Sequence, residues 1–287
     1  MKGKDMFTTS TRPSFVSRAA LADDQIRALA PSVFAPSPLP DVSRRYAFVP
    51  TAQIVSRLRS SGWSPVQASE QIVRLDDRRG FQKHLLRFQR SDLQPVAGEY
   101  SPELVLINSH DRSSAYQLHA GLFRFVCGNG MIVADATFQR VSIRHSGFTP
   151  DEVIDASFKL LDQVPAITAR VETFKQRQLD SAEIATFAEA ALKLRFEDAS
   201  KAPINPHRLL DCRRDDDAGD DLWHVFNRAQ EHLIRGGQRD WSKRREDGRR
   251  FPRTRAISGL DQNVRLNREL WNLAERFANH EAIALAE

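Results

Sequence analysis

The chain has 287 residues, of which 41% are hydrophobic and 28% charged, so it can bury a core of globular size. No apolar run approaches the roughly 20 residues of a membrane helix, and the N-terminus lacks the apolar stretch of a secretory signal. We therefore expect a cytoplasmic protein without a membrane partner. Two cysteines exclude a disulfide framework, and a net charge of +5 permits a polyanionic partner.

Residues 1–44 are predicted to form a flexible N-terminal arm, because they are rich in Ser, Thr and Pro. One short helical pattern, LADDQIRALA, lies within the arm and stops at Pro31. We expect the arm to be mobile or to dock only through that helix.

Residues 45–148 predict an α+β sheet core. Thr51 is placed to cap a helix that ends near Gly62. The stretches SPVQASEQIV, FQKHLLRFQR and ELVLIN alternate partly between polar and apolar residues, as strands do, and further strands follow from AYQLHAGL onward. The simplest fold is a twisted, mainly antiparallel sheet with packed helices.

Residues 149–287 change to helical spacing and predict a helical region that packs on the core as one unit. Thr149 and Pro150 mark a helix start, and Ser181 is the predicted N-cap of the next helix. A later helix is predicted to end at Gly236, and the last pattern is helical to the C-terminus. The fold class is therefore α+β, with a helical C-terminal part.

An Arg-rich loop is predicted at 235–255, between the last two helices. Guanidinium groups neutralise phosphates and aromatic rings stack on unpaired bases, so this composition favours single-stranded nucleic acid. A solvated charged loop is the alternative. The predicted nucleic-acid-binding residues here are Arg235, Arg239, Trp241, Lys243, Arg244, Arg245, Arg249, Arg250, Phe251, Arg253 and Arg255.

A smaller basic group lies on the early sheet, and we predict that Arg78, Arg79 and Lys83 also contact nucleic acid. If the two groups share a face, they form one continuous groove. The sequence leaves that placement open.

The stretch SHDRSS is a second candidate site. Catalysis by one of its serines with His110 and Asp111 meets the objection that neighbours on one turn seldom face each other. A metal site using His110, His119 and His145 with Asp111 or Asp135 matches no motif such as H-E-x-x-H. We therefore predict no catalytic residue, metal or cofactor, and interpret the stretch as a sheet edge and an Asx or Ser turn that exposes His110 and Asp111. The residues of candidate functional interest are Asn108, Ser109, His110, Asp111, Ser113, Ser114 and Asn129.

Three stretches carry a resemblance to a known family: LADDQIRALAPSVFA, RRYAFVPTAQIVSRLRSSGW and LVLINSHDRSSAYQLHAGLFRFVCGNGMIV. With them the chain resembles the phage- and plasmid-borne DUF932 family, whose activity is not established. The resemblance implies residence on mobile genetic elements. The outline of helix, strands and return helix is also similar to that of single-strand annealing proteins, an analogy of topology that assigns no function.

Three hypotheses for function follow. The first is a non-enzymatic protein that binds or anneals single-stranded DNA, in recombination or plasmid establishment. The alternative is an anti-defence protein that binds a host protein factor, and the third is a metal-dependent hydrolase or nuclease. The sequence leaves open whether the ligand is DNA or RNA and whether the chain forms a homo-oligomer.

Overall fold

The structure is a computed structural model that describes residues 19–40, 48–73, 76–93, 100–124, 129–132, 141–143, 150–198 and 201–281. Within these ranges the α-helices are α1 (Asp23–Leu29), α2 (Thr51–Ser60), α3 (Pro150–Leu161), α4 (Val164–Gln176), α5 (Ser181–Arg195), α6 (Leu222–Arg235) and α7 (Leu260–Ala278). The strands are β1 (Trp63–Glu70), β2 (His84–Arg90), β3 (Tyr100–Asn108), β4 (Tyr116–Arg124), β5 (Asn129–Ile132) and β6 (Val141–Ile143). The predicted α+β class is confirmed.

The strands form a sheet in the order β1-β2-β3-β4-β5, and β6 pairs with β4. β2 is antiparallel to both β1 and β3, and it places His84 opposite Asn108 and Leu86 opposite Leu106. β3 and β4 each have neighbours on both sides. The SHDRSS stretch joins these two inner strands, so its predicted position at a sheet edge is wrong.

The chain divides into two compact units. The first unit holds the described parts of 1–121, 140–161 and 258–260, with α1, α2, α3, β1, β2, β3 and β6. The second unit holds those of 122–139, 162–257 and 261–287, with α4, α5, α6 and nearly all of α7. None of the helices that the structure describes is long and apolar enough to cross a membrane.

The core of the first unit forms where α2 packs against β1. Ile54, Val55 and Leu58 recur at helical spacing and are buried on one face of α2. The segment that contains α1 docks on the same sheet. The Leu21 amide donates to the Pro65 carbonyl over 2.7 Å, and the Ile26 side chain is buried.

Aromatic rings form the core of the second unit. Trp223 and Phe226 on α6 stack at 5.5 Å between ring centroids, and Trp271 of α7 meets both edge-on. Phe174 of α4 lies 5.1 Å from Trp271. These rings bury a large apolar area and join α4, α6 and α7 at the centre of the second unit.

Two predicted N-caps, Thr51 and Ser181, differ from the caps in the structure. Thr51 is the first helical residue and does not cap α2; its hydroxyl is bonded elsewhere, so the predicted cap is wrong. The N-cap of α5 is Asp180 rather than Ser181, because Asp180 and Glu183 exchange side-chain hydrogen bonds in a capping box. Pro150 begins α3 as predicted, and Thr149 lies outside the described residues.

The last two helix predictions also have different outcomes. α6 ends before Gly236, which adopts a positive φ of 64° as the pattern predicted. α7 ends at Ala278 and is followed by a turn in which His280 has a φ of 55°, so it does not continue through the described C-terminal residues.

Candidate nucleic-acid interface

The segment 235–255, called the basic loop below, is closed at its base by backbone hydrogen bonds. The Gly237 amide donates to the Thr254 carbonyl over 2.7 Å, and the Thr254 amide donates to the Gln238 carbonyl over 2.9 Å. Gly236 permits this closure, because a Cβ at this position would lie 2.5 Å from the Arg255 carbonyl oxygen. The two legs of the loop are thus held together where it leaves α6.

A buried carboxylate anchors the loop above its base. Asp240 is 3% exposed and accepts hydrogen bonds from the Asn205 amide, the Ser242 amide and the Ser242 hydroxyl, at 3.0, 3.0 and 2.6 Å. Burial alone raises the pKa of Asp240, but these hydrogen bonds outweigh burial and bring the pKa down to about 2. Lys243 adds a second anchor by donating to the Ala202 carbonyl over 2.8 Å.

The tip of the loop is a short hairpin. Arg244 and Arg250 form an antiparallel bridge, and the Arg245 amide donates to the Arg249 carbonyl over 2.8 Å. Gly248 closes the turn with a φ of 75°. The hairpin leaves all four arginines exposed.

The Trp241 side chain is exposed among the arginines of the basic loop. Its side chain is 52% exposed, and the guanidinium carbons of Arg239 and Arg250 each lie 4.8 Å from the ring centroid. Such contacts are cation–π interactions, which orient guanidinium groups beside an aromatic ring. One exposed ring is therefore held next to two guanidinium groups.

The smaller ring of Phe251 also lies beside two cations. Its ring is partly exposed, with the Lys243 ammonium 5.9 Å and the Arg245 guanidinium carbon 5.5 Å from its centroid. The structure therefore brings both predicted aromatic residues together with the predicted cations.

Few cations of the loop are neutralised by acids. Arg235 pairs with Glu231 at 3.3 Å, and Arg249 lies 3.7 Å from Asp247. Within the part of the chain that the structure describes, six others have no carboxylate oxygen within 4.0 Å: Arg239, Arg244, Arg245, Arg250, Arg253 and Arg255. Their charge is thus available to an anion.

The smaller basic group lies in the first unit and is less uniform. The Arg78 guanidinium is half-exposed, 3.9 Å from Asp111, and the exposed Arg79 pairs with Asp76 at 2.9 Å. Lys83 is only 6% exposed. The two arginines are placed to meet solvent, whereas Lys83 is not.

The SHDRSS stretch differs from the predicted exposed turn. The Ser113 amide donates to Asp111 Oδ1 over 2.9 Å, which is the predicted Asx turn. His110 is fully buried and Asp111 nearly so, because the His110 amide donates to the Phe81 carbonyl and its own carbonyl accepts from Leu39. The predicted exposure of His110 and Asp111 is therefore wrong.

The serines of this stretch serve the turn. Ser109 Oγ accepts from the Ser114 amide over 2.9 Å and donates to the Ser114 carbonyl over 3.2 Å. Ser113 is exposed beside the turn, and the side chain of Asn129, the first residue of β5, is outside what the structure describes. Among the described residues, no three His, Cys, Asp or Glu side chains are grouped to hold a metal ion.

Sequence patterns missed a buried polar network around Thr51. Its Oγ1 lies 2.9 Å from His84 Nε2 and 3.3 Å from His110 Nε2, and it accepts from Asn108 Nδ2 over 2.9 Å. His84 Nδ1 lies 3.2 Å from the Gln82 carbonyl, which only accepts. We assign the His84 proton to Nδ1 on this contact, and with that assignment the Thr51 hydroxyl donates to His84 Nε2.

Burial keeps His84 neutral, although its hydrogen bond to the Gln82 carbonyl acts in the opposite direction and raises the pKa. Burial, followed by the neighbouring His110, lowers the pKa of His84 to about 3. The network joins residues 33 and 59 positions apart, so no local pattern could have indicated it. The network is buried and contains no solvent-facing nucleophile, and within the described part of the chain its Asn108 Oδ1 has no hydrogen-bond partner.

Together these features define an α+β protein whose sheet unit contains a buried polar network and whose helical unit carries an exposed basic loop. Residues 38–271 match the family model described as Domain of unknown function (DUF932), and the chain belongs to that family. It is 34% identical to the UPF0380 proteins YafZ and YfjQ of Escherichia coli (strain K12), in each case over 89% of this chain and 90% of the relative. No solved structure matches the chain.

Proposed function

We propose that this protein binds single-stranded nucleic acid, with the DNA of mobile genetic elements as its ligand, through the basic loop. The observation that carries the proposal is the exposed Trp241 ring with Arg239 and Arg250 beside it. Cations that flank an exposed aromatic ring are the combination that binds unpaired bases and their phosphates, because the ring stacks on a base while the cations neutralise the backbone.

The arrangement favours single strands over duplexes. Bases in a duplex are already stacked and paired, so a side-chain ring reaches them only after they are unstacked, which costs a few kcal/mol. Unpaired bases carry no such penalty. Arg244, Arg245 and Arg250 have no acidic partner among the described residues and are suited to neutralise the phosphates on either side.

Arg78 and Arg79 of the first unit form a second proposed phosphate contact, because the Arg78 side chain is half-exposed and the Arg79 side chain is mostly exposed. Lys83 is left out of the proposed surface because its side chain is buried. The finer role that we propose is a cytoplasmic one, binding or annealing of single strands in recombination or plasmid establishment, without a catalytic step.

The test is fluorescence anisotropy of a labelled single-stranded oligonucleotide and of its duplex, with purified, nuclease-treated protein at two salt concentrations. We expect tighter binding of the single strand and a steep loss of affinity at higher salt, because released counterions drive such binding. Absence of binding, or binding indifferent to salt, contradicts the proposal. Equal affinity for the duplex would contradict the stacking part of it.

A further inference from the structure

We infer that Asp240 is a positioning residue for base stacking by Trp241, an inference that rests on the proposed function. Asp240 is an acid in the middle of a strongly basic segment. It is nonetheless buried, while Trp241 beside it is exposed. The two observations together assign the carboxylate a role within the loop.

The residues on both sides of Trp241 are hydrogen-bonded to one neighbouring segment, which contains Ala202 and Asn205. Before it, Asp240 Oδ2 accepts from the Asn205 amide over 3.0 Å. After it, Ser242 Oγ donates to Asp240 Oδ1 over 2.6 Å and accepts from Asn205 Nδ2 over 3.2 Å. Lys243 continues the attachment through the Ala202 carbonyl. Trp241 is thus the one residue from 240 to 243 whose side chain takes no part in these hydrogen bonds.

The segment that receives these bonds is itself firmly placed. Ala202 and Ile204 are buried, and the short helix Pro206–Leu210 that follows packs against α5 and α6. The anchor therefore connects the stacking residue to the core of the second unit. A ring held in place before binding loses less conformational entropy when a base arrives, so the anchor raises affinity.

Neutralising Asp240 should change the affinity for nucleic acid in the direction opposite to the one that charge alone predicts. Nucleic acid is a polyanion, so neutralising any acid in the basic loop should raise affinity or leave it unchanged. If Asp240 positions Trp241, neutralising this acid instead lowers affinity. Asp247 provides the comparison, because it is an exposed acid of the same loop at the hairpin tip. Its Oδ1 accepts from the Arg249 amide over 2.9 Å, a hydrogen bond that the amide oxygen of Asn also accepts.

The experiment compares Asp240→Asn with Asp247→Asn in anisotropy titrations with a labelled single-stranded oligonucleotide. Each variant removes one negative charge, but the new side chain at position 240 would present an amide NH₂ where one carboxylate oxygen now accepts. Since a hydrogen bond to a charged group is a strong one, we expect affinity to fall by about tenfold in Asp240→Asn. Asp247→Asn should bind at least as tightly as the wild type. Equal or tighter binding by both variants overturns the inference.

A second readout separates positioning from a general loss of structure. Iodide quenching of tryptophan emission reports the exposed Trp241, and it should change in Asp240→Asn while the circular dichroism spectrum does not. If Asp240→Asn fails to fold, Ser242→Ala and Ser242→Thr decide, because only Thr keeps the hydroxyl that Asp240 accepts from. Weaker binding by the Ala variant alone supports the inference, and equal binding by both overturns it. Failure of the wild type to bind at all would instead reject the proposed function.

Discussion

Thr51 and His84 are joined by a 2.9 Å hydrogen bond between Thr51 Oγ1 and His84 Nε2, which ties the first turn of α2 to β2. Asn108 and His110 converge on the same hydroxyl from the end of β3 and the turn after it. One side chain therefore satisfies three buried polar groups. In the low dielectric of an interior, such a network specifies one packing arrangement of helix and sheet.

Replacing Thr51 with Val should destabilise the first unit. Val has the same shape but no hydroxyl, so the groups of His84, Asn108 and His110 that now meet it would lose that partner in a buried site. We expect the free energy of unfolding to fall by roughly 2–4 kcal/mol. Urea titration measures this, with Thr51→Ser as the control that keeps the hydroxyl and most of the stability. A Val variant as stable as Ser would contradict the account of the network.

The pH dependence of stability should contain a contribution from His84. Its pKa is about 3 in the folded protein and near 6.5 when unfolded, so between these values only the unfolded state binds the proton. The stabilisation is complete above pH 6.5 and is lost as pH falls toward 3, at about 1.4 kcal/mol per unit. Unfolding free energies at pH 7, 6 and 5 should therefore fall more steeply for the wild type than for His84→Gln. Parallel curves would show that His84 is not held neutral.

The sequence predicted elements better than it predicted exposure. Alternation and helical spacing placed β1, β2, β3 and α6 because those patterns are local consequences of which face is buried. His110 and Asp111 were predicted to be exposed because a polar turn usually is. They are buried because Leu39 and Phe81 approach the turn from elsewhere in the chain.

Part of the candidate interface was likewise predictable from the sequence and part was not. Composition alone placed Trp241 and the arginines of the basic loop in one segment, since they are close in sequence. The role of Asp240 was not predictable, because its partner Asn205 is 35 positions away and an acid in a basic segment has no distinctive pattern. Long-range hydrogen bonds decide which polar residues are buried, and periodicity does not report them.

Gly236 and Gly237 offer a matched test of the loop base. Both have a positive φ, 64° and 83°, so Ala at either position strains the backbone by about 1 kcal/mol. Only at Gly236 would the new Cβ also meet the Arg255 carbonyl oxygen, at 2.5 Å, whereas nothing lies within 4 Å at Gly237. Gly236→Ala should therefore lower both the thermal unfolding temperature and the oligonucleotide affinity more than Gly237→Ala does. Equal effects would show that the closure of the base does not matter.

Tryptophan emission should report the ligand directly. Trp63, Trp223 and Trp271 are buried, so Trp241 is the one of the four tryptophans that is exposed to a quencher. A single-stranded oligonucleotide should lower the Trp241 emission and protect it from iodide. This response should vanish in Trp241→Phe. A ligand response that persists in that variant would place the contact elsewhere.

The energetic part of the same prediction uses truncation of the ring. Stacking contributes about 1–3 kcal/mol per base, so Trp241→Ala should weaken binding by roughly 5- to 150-fold. Trp241→Phe should lose less, because a smaller ring remains. Anisotropy titrations of the three proteins with one oligonucleotide measure the order, and an Ala variant that binds as well as the Phe variant contradicts stacking.

The most direct test of the central claim is anisotropy with a labelled single strand and a protein in which Arg244, Arg245, Arg249 and Arg250 are all changed to Ala. Its control removes four exposed cations from elsewhere in the chain: Arg57, Lys201, Arg265 and Arg276. We predict that the first variant loses nearly all binding, while the control, with the same net charge, retains most of the wild-type affinity. Equal loss in both would mean that net charge rather than the basic loop binds the strand, and unchanged binding in the first variant would contradict the account.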